Sequence, residues 1–264
     1  MIINRFNVVY FMLVFITIFL IVAVYLIFRK KEEKVKIRFI SIVCVFNIIF
    51  FFVYKYWLSQ DSEFLHLSHL DKFNWWNELP LQLCNINLFL IPISLISDKK
   101  FLKSYCLFIT PLGAFLAISF PEAAFVGDSI FKLRNIGFYG THMILIITSF
   151  SIVTLGFYKP KYKDILLPAI TTFGLAAIMF GVNTILRNTV CPEANYFFTY
   201  KCDVPILSTF YKWIPVPLIY ELLGIIILVP YCLLVTFLYN CFVKERKDEQ
   251  NKNNYAWKKV SKSV

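Results

Sequence analysis

Two side chains that could perform nucleophilic chemistry lie in separate apolar segments of the chain. Cys84 lies in LPLQLCNINLFLIPISLI, and His142 lies in NIGFYGTHMILIITSF. A free thiol is mostly protonated at neutral pH, and a nearby imidazole can accept its proton and later return it to a leaving group. Ionisable side chains are costly among lipid tails and usually mark a functional site. The pair therefore predicts covalent catalysis inside a membrane.

The composition of the 264 residues is that of a membrane protein. Hydrophobic residues make up 59% of the chain and charged residues 16%, whereas roughly a quarter of the residues in a soluble domain are charged. Apolar runs of about 17 to 25 residues predict an all-α bundle of seven transmembrane helices. The predicted spans are residues 8–28, 39–57, 79–96, 102–120, 137–157, 165–186 and 216–243. We expect one membrane domain over residues 1–243 and a basic cytoplasmic tail over residues 244–264.

Lysine and arginine predict the orientation of the spans. They concentrate in residues 29–38, 99–103 and 159–163 and in the tail from residue 244. Basic segments remain cytoplasmic, so we expect a multi-pass protein of the cell membrane with its amino terminus outside. Such segments attract anionic lipid headgroups, so the formal charge of +11 does not require a nucleic-acid partner.

These spans position the cysteine and the histidine at one depth. At 1.5 Å per residue, Cys84 lies roughly 7 to 8 Å below the outer boundary at Leu79, and His142 lies at a similar depth. Two further spans bring Asn183 and Glu221 back to this level. The sequence therefore predicts a polar layer close to the outer face.

The other polar residues of this layer have expected supporting roles. Asn183 or Glu221 could fix the tautomer of the imidazole, and Gln82, Asn85 or a backbone N–H group could stabilise an oxyanion. Structural alternatives stay open: the cysteine as a packing residue, Asn183 as a helix-to-helix hydrogen bond, and Glu221 as a solvated interfacial group. At the outer surface, three charged residues could meet a lipid phosphate or be ordinary interfacial residues: Arg187, Lys201 and Asp203.

No metal ion or other cofactor is expected. The seven cysteines form no CxxC pair, and only Cys191 and Cys202 share an outer loop in which a disulfide could form. Possible metal ligands do occur in another loop, but they lack a zinc-protease pattern and are more simply read as solvated side chains. They are Glu63, His66, His69 and Asp71.

Several segments, taken in order, resemble the bacterial YwaF-type integral membrane protein family, whose eukaryotic relatives include transmembrane protein 164. They are LPLQLC, FYGTHMIL, GVNTILRNT, ANYFF and WIPVPLIYE, and the similarity runs from about residue 79 to residue 243. The resemblance implies a cysteine-centred acyltransferase that moves acyl chains between phospholipids and lysophospholipids. It implies Cys84 as the nucleophile and His142 as its base, and we expect Arg187, Asn195 and Tyr196 to bind the substrate.

Other functions fit the same residues. A lipid hydrolase would use the same dyad, with water resolving the thioester. A small-solute transporter or a substrate-binding membrane subunit would use the polar layer as a binding pocket, and a sensory or scaffold protein would bind lipid without turnover. Only the two enzymes require a reactive thiol at Cys84. The acyl donor, the acceptor and the oligomeric state are left open by the sequence.

Overall fold

The chain folds as an all-α bundle, as the sequence predicts. A computed structural model describes residues 1–68, 70–201 and 205–260. Its α-helices are α1 Val8–Phe28, α2 Glu33–Ser59, α3 Ser62–Leu67, α4 Asn87–Ser97, α5 Lys100–Ser119, α6 Leu133–Thr154, α7 Leu166–Thr189, α8 Pro205–Trp213 and α9 Ile225–Val260. Two short strands pair antiparallel, β1 Ile2–Ile3 and β2 Asp128–Ser129. The 3-10 helices are Trp75–Asn77, Ala123–Phe125, Tyr162–Asp164, Tyr196–Phe198 and Ile219–Gly224.

Six helical segments of the described chain are long and apolar enough to cross a membrane. They are Val8–Phe28, Glu33–Ser59, Lys100–Ser119, Leu133–Thr154, Tyr162–Thr189 and Ile219–Phe242. The first exposes apolar side chains around most of its circumference, including Phe15 and Phe19. In lipid such a surface carries no penalty. The chain is therefore a multi-pass membrane protein.

The third predicted span is not one continuous helix. Residues 79–86 form turns, and α4 begins only at Asn87. Pro80 lacks an N–H donor, and Leu79 and Gln82 bond to the loop after α7. The first helical bond of this segment therefore runs only from the N–H of Ile86 to the carbonyl oxygen of Gln82, at 3.0 Å. Pro92, by contrast, lies within α4 without ending it.

The basic connections share one end of the bundle, which we call the basic end. Lys36 Nζ donates to the carbonyl oxygen of Leu155 at 3.3 Å. Lys100 forms an ion pair with Asp164 at 2.6 Å. The loops after α1, α4 and α6 therefore lie together, as the distribution of lysine and arginine predicts.

The amino terminus and the remaining loops share the opposite end, which we call the amino-terminal end. The β1–β2 pairing joins the start of the chain to the loop after α5. Asn74 Nδ2 donates to Glu193 Oε1 at 2.9 Å, which joins the loop after α3 to the loop after α7. The described chain thus passes from one end of the bundle to the other between residues 79 and 98, in addition to the six long helical segments. Which end faces the cytoplasm stays a prediction.

Helices α5 and α6 form the centre of the bundle and are the most buried of the long helices. Helix α2 packs closely on α6 because Gly137 has no side chain. A Cβ atom there would lie only 2.2 Å from Cδ2 of Tyr54 and 2.7 Å from its Cβ. This close approach positions α2 beside the turn of α6 that carries His142.

Some sequence-based expectations fall at or beyond the limits of the description. Helix α9 continues to Val260, so most of the predicted tail is helical. His69, Cys202 and Asp203 lie outside the described residues, and with them the possible disulfide and part of the possible metal set. Cys191 is buried, and its Sγ accepts a hydrogen bond from Asn74 Nδ2 at 3.4 Å.

Candidate active site

Cys84 lies in the turns that lead into α4. Its carbonyl oxygen accepts from the N–H of Asn87 at 3.2 Å, which begins the helix. The thiol donates weakly to Asn85 Oδ1 at 3.7 Å. The cysteine is therefore a protonated thiol that donates within its own turn, and a base is needed to make it an efficient nucleophile.

Helix α5 passes next to the cysteine through a glycine. A Cβ atom at Gly113 would lie 3.9 Å from Cβ of Cys84 and 3.8 Å from Cδ2 of Leu83. These are ordinary contact distances, so a methyl group would fit and a longer side chain would press on the thiol segment.

His142 is almost fully buried in α6, and a carbonyl group of its own helix holds the ring. Its Nδ1 lies 2.7 Å from the carbonyl oxygen of Phe138, and the two rings are 4.6 Å apart between centroids. A carbonyl oxygen can only accept, so Nδ1 carries the hydrogen in the neutral ring. The other nitrogen, Nε2, is therefore the basic one.

The thiol and the imidazole are not hydrogen-bonded to each other in the part of the chain that the structure describes. The thiol bonds to Asn85 and the ring to Phe138. Lys55 lies between the elements that carry them: it adjoins Tyr54, which packs on α6 at Gly137, and it bonds to Glu78, which precedes the turns that carry Cys84. The direct contact expected from sequence stays a prediction.

Asn183 does not hold the imidazole, in contrast to its expected role. Its Nδ2 donates to the carbonyl oxygen of Tyr196 at 2.8 Å and to Thr199 Oγ1 at 2.9 Å. Its Oδ1 accepts from the N–H of Tyr196 at 2.9 Å. Because a fully buried amide must satisfy its donors and acceptor, Asn183 is committed to the loop after α7.

The same loop binds the turns that carry Cys84. The hydroxyl of Tyr196 donates to the carbonyl oxygen of Trp76 at 2.5 Å and accepts from the N–H of Leu79 at 3.1 Å. Gln82 Oε1 accepts from the N–H of Phe197 at 3.2 Å. Gln82 therefore positions the backbone next to Cys84, and its Oε1 is occupied by this bond.

Arg187 and Asn195 also fold the loop with their polar groups. Asn195 Nδ2 donates to the carbonyl oxygen of Lys201 at 2.6 Å, and its Oδ1 accepts from the N–H of Tyr200 at 3.0 Å. Arg187 Nη1 donates to the carbonyl oxygen of Ala194 at 3.2 Å, and its guanidinium lies 4.5 Å from the centroid of Tyr200. Together with Tyr196, these expected substrate ligands form a structured cover at the amino-terminal end.

Glu221 lies in the 3-10 helix that precedes α9. Its Oε1 is buried and has no hydrogen-bond partner among the described residues. The adjacent Tyr220 donates from its hydroxyl to the carbonyl oxygen of Phe198, which ties this helix to the same cover. No hydrogen bond between described residues joins Glu221 to His142.

Comparison with known proteins identifies the family. The family model described as the TMEM164 family matches residues 4–246, which is nearly the whole chain. The chain belongs to the TMEM164 family. No curated protein and no solved structure matches it.

In this TMEM164 family member, sequence analysis missed the buried pair of Lys55 and Glu78. Lys55 lies within α2 with 9% of its surface exposed, and its ammonium group bonds to the carboxylate of Glu78. A single lysine near the end of a long apolar span was the available signal, because ionisable groups in spans are rare and functional by default. Its partner lies 23 residues later in a loop, so the pairing required the tertiary structure.

Proposed function

We propose that this member of the TMEM164 family is a membrane-embedded acyltransferase that acts on phospholipid or lysophospholipid acyl chains. Cys84 is the nucleophile and His142 is its base. The observation that carries the proposal is the state of the imidazole: the Phe138 carbonyl holds Nδ1–H, so Nε2 is the nitrogen able to accept a proton. The resemblance to the YwaF-type proteins supports the same assignment of roles.

The proposed reaction has two displacements. The thiol proton passes to Nε2 of His142, and the sulfur of Cys84 attacks the ester carbonyl carbon of a phospholipid. The carbon–oxygen bond breaks, and the imidazolium returns the proton to the leaving hydroxyl oxygen, which yields a lysophospholipid and an acyl-thioester. The hydroxyl group of a second lysophospholipid molecule then gives its proton to Nε2 and attacks the thioester. The carbon–sulfur bond breaks, and the imidazolium reprotonates the thiolate.

Substrate must bring the two side chains together for this reaction. Catalytic hydrogen bonds are often long in unliganded enzymes and shorten in the complex with substrate, so a separation of about 3 to 4 Å is required only then. The position of the site near one end of the bundle suits the esters of a phospholipid, which lie just below the headgroups.

The test uses purified protein in lipid nanodiscs with a deuterium-labelled phospholipid donor and an unlabelled lysophospholipid acceptor. We expect Cys84→Ala to abolish label transfer, and His142→Ala to reduce it by on the order of 10²-fold or more. Cys241→Ala, a cysteine near the other end of the bundle, is the matched control and should retain activity. Equal turnover by Cys84→Ala and the natural protein would contradict the proposal. Labelled free fatty acid in place of transferred acyl chain would identify a hydrolase with the same dyad.

A second proposal concerns the basic end, where we propose that an anionic lipid headgroup binds. A cavity of about 380 Å³ lies between the loops after α4 and α6. Lys159 and Lys161 line it together with the ion-paired Lys100 and Lys103. Lysines at a membrane surface contribute roughly 1 kcal/mol each to the binding of anionic lipids.

Native mass spectrometry of lipid that remains bound after purification tests this site. The double variant Lys159→Gln and Lys161→Gln should lose bound phosphatidylglycerol. The control Lys30→Gln and Lys31→Gln removes the same charge from another basic loop and should keep it. Equal loss from both variants would mean that only general surface charge is involved, and displacement by millimolar inorganic phosphate would point to a soluble anion.

A further inference from the structure

Burying the ammonium group of Lys55 costs hydration free energy, which suggests that this residue has a function besides stabilising the fold. It lies in an apolar helix, it is almost buried, and its partner Glu78 is the residue just before the segment that carries Cys84. The attraction within a buried ion pair often only offsets the loss of hydration, so such pairs are weak evidence for a stabilising role. An ionisable side chain within a membrane span, by contrast, usually marks a functional site.

The surroundings of the ammonium group suit the binding of an anion. Its Nζ lies 5.1 Å from the ring centroid of Tyr54 and 5.6 Å from that of Phe51. The two ring faces hold the cation without neutralising it. An ammonium group has three N–H donors. Glu78 takes one of them, and the side chain of Tyr54 is a second hydrogen-bonding neighbour.

Glu78 is the more accessible partner of the pair. Its side chain is 20% exposed, against 11% for Lys55, and it follows the short 3-10 helix Trp75–Asn77 rather than lying inside a long helix. The carboxylate can therefore move toward the aqueous end while the lysine stays fixed in α2. Its departure would leave the ammonium group open to another anion.

We propose that Lys55 binds the phosphate diester of a glycerophospholipid, with Glu78 as the group that the phosphate displaces. This inference rests on the proposed function for the reaction but concerns the choice of substrate. In a glycerophospholipid the phosphate and the ester nearest to it are attached to neighbouring glycerol carbons. A phosphate at Lys55 would bring that ester toward Cys84, because Glu78, the partner of this lysine, directly precedes the turns that carry Cys84.

The experiment compares two acyl donors that differ only in the phosphate headgroup, phosphatidylcholine and the diacylglycerol with the same chains. Formation of the acyl-thioester on Cys84 is followed by intact-protein mass spectrometry. We expect the natural protein to prefer phosphatidylcholine at least tenfold in kcat/KM. Lys55→Met should lose this preference by slowing the phospholipid reaction alone, and Lys55→Arg should retain it.

Glu78→Gln distinguishes a binding role from a structural one. If the ion pair only holds the loop to α2, Glu78→Gln should impair the reaction with both donors, as Lys55→Met would. If phosphate displaces the carboxylate, Glu78→Gln should lower KM for phosphatidylcholine severalfold and leave the diacylglycerol reaction unchanged. The Glu78→Gln comparison also tests the proposal if Lys55→Met does not fold. Equal effects of either substitution on both donors would overturn the proposal.

A second measurement separates this inference from the proposed function. If neither donor acylates Cys84 in the natural protein, the acyltransferase assignment fails. Binding of a fluorescent lysophosphatidylcholine to protein with Cys84→Ala then tests Lys55 directly, against a fluorescent monoacylglycerol as the control lipid. Weaker binding of the phosphate-bearing lipid alone in Lys55→Met supports the inference, and unchanged binding contradicts it.

Discussion

At the scale of single residues, polar groups of similar type serve different purposes. The side chains of Asn183 and Gln82 are committed to the loop after α7, whereas the Cys84 thiol donates only weakly to its neighbour Asn85 and His142 is held through Nδ1. Residue type and depth could not separate these roles, because an amide that folds a loop and an amide that orients a base look alike in sequence. Their hydrogen-bond partners separate them.

Asn183→Ala should destabilise the protein without acting on the imidazole. Asn183 is fully buried and makes three hydrogen bonds to the loop, so its loss leaves buried partners unsatisfied at a cost of about 1 to 3 kcal/mol. Asn188→Ala is the matched control, because Asn188 is exposed in the same helix and its replacement should change stability by about 0.5 kcal/mol or less. Thermal unfolding in detergent measures both, and equal melting temperatures would contradict the role of Asn183.

At the scale of elements, two contacts position the site. The first is the close packing of α2 on α6, where Tyr54 lies over Gly137. The second is the ionic cluster at the start of α6, where the buried Arg134 meets Asp61 at 3.4 Å and Asp128 at 2.6 Å. The first brings Lys55 toward His142, and the second joins α6 to the strand pair at the amino-terminal end.

Gly137→Ala should destabilise the bundle by about 1 to 3 kcal/mol, because the new methyl group would overlap the root of the Tyr54 side chain and force the helices apart. Gly181→Ala is the control, since nothing lies within 4 Å of a Cβ there and alanine favours a helix. Denaturant unfolding should therefore show opposite changes for the two substitutions. A neutral Gly137→Ala would mean that α2 and α6 are not in this contact.

The ionic cluster predicts loss of stability in acid. The hydrogen bond from Lys132 holds the pKa of the Asp128 carboxyl below its usual range, and Lys132 and Arg134 do the same for the pKa of Glu63. A carboxyl with a lowered folded-state pKa stabilises the fold above its unfolded pKa of about 4, and the contribution disappears as the pH falls through the folded value. The melting temperature should therefore fall below about pH 4. Asp128→Asn should reduce this fall, and an identical pH profile for that variant would exclude Asp128 as a source.

At the scale of the whole molecule, the third crossing determines the topology. Only six helical segments of the described chain have the length and hydropathy of a span, yet residues 79–98 connect the amino-terminal end to the basic end. This connection gives the described chain seven passes between the two ends of the bundle, which predicts that residues 8 and 243 lie on opposite sides of the membrane. The shorter α4 leaves room within the bundle for the turns that carry Cys84.

Cysteines introduced at the two ends should react from opposite sides of the membrane. Asp71→Cys, at the amino-terminal end, should be labelled by a membrane-impermeant maleimide in intact cells, as the lysine distribution predicts. Lys161→Cys, at the basic end, should be labelled only after the membrane is permeabilised. Labelling of both positions from outside would contradict the crossing by residues 79–98, and the reverse pattern would invert the predicted orientation.

The sequence by itself determined the all-α membrane class, the long spans and the grouping of basic loops at one end. These follow from hydropathy and charge, which act on each segment through the solvent around it. It also singled out Cys84 and His142, because reactive groups are conspicuous in an apolar background.

Only the tertiary structure decided how those groups are held. The turns at residues 79–86 replace a helix because Tyr196 and Gln82 make bonds more than a hundred residues apart in sequence. The pairing of Lys55 with Glu78 and the tautomer of His142 likewise depend on which groups meet in space. Solvation is a property of each segment, whereas hydrogen-bond partners in a buried site are chosen by the packing of the whole bundle.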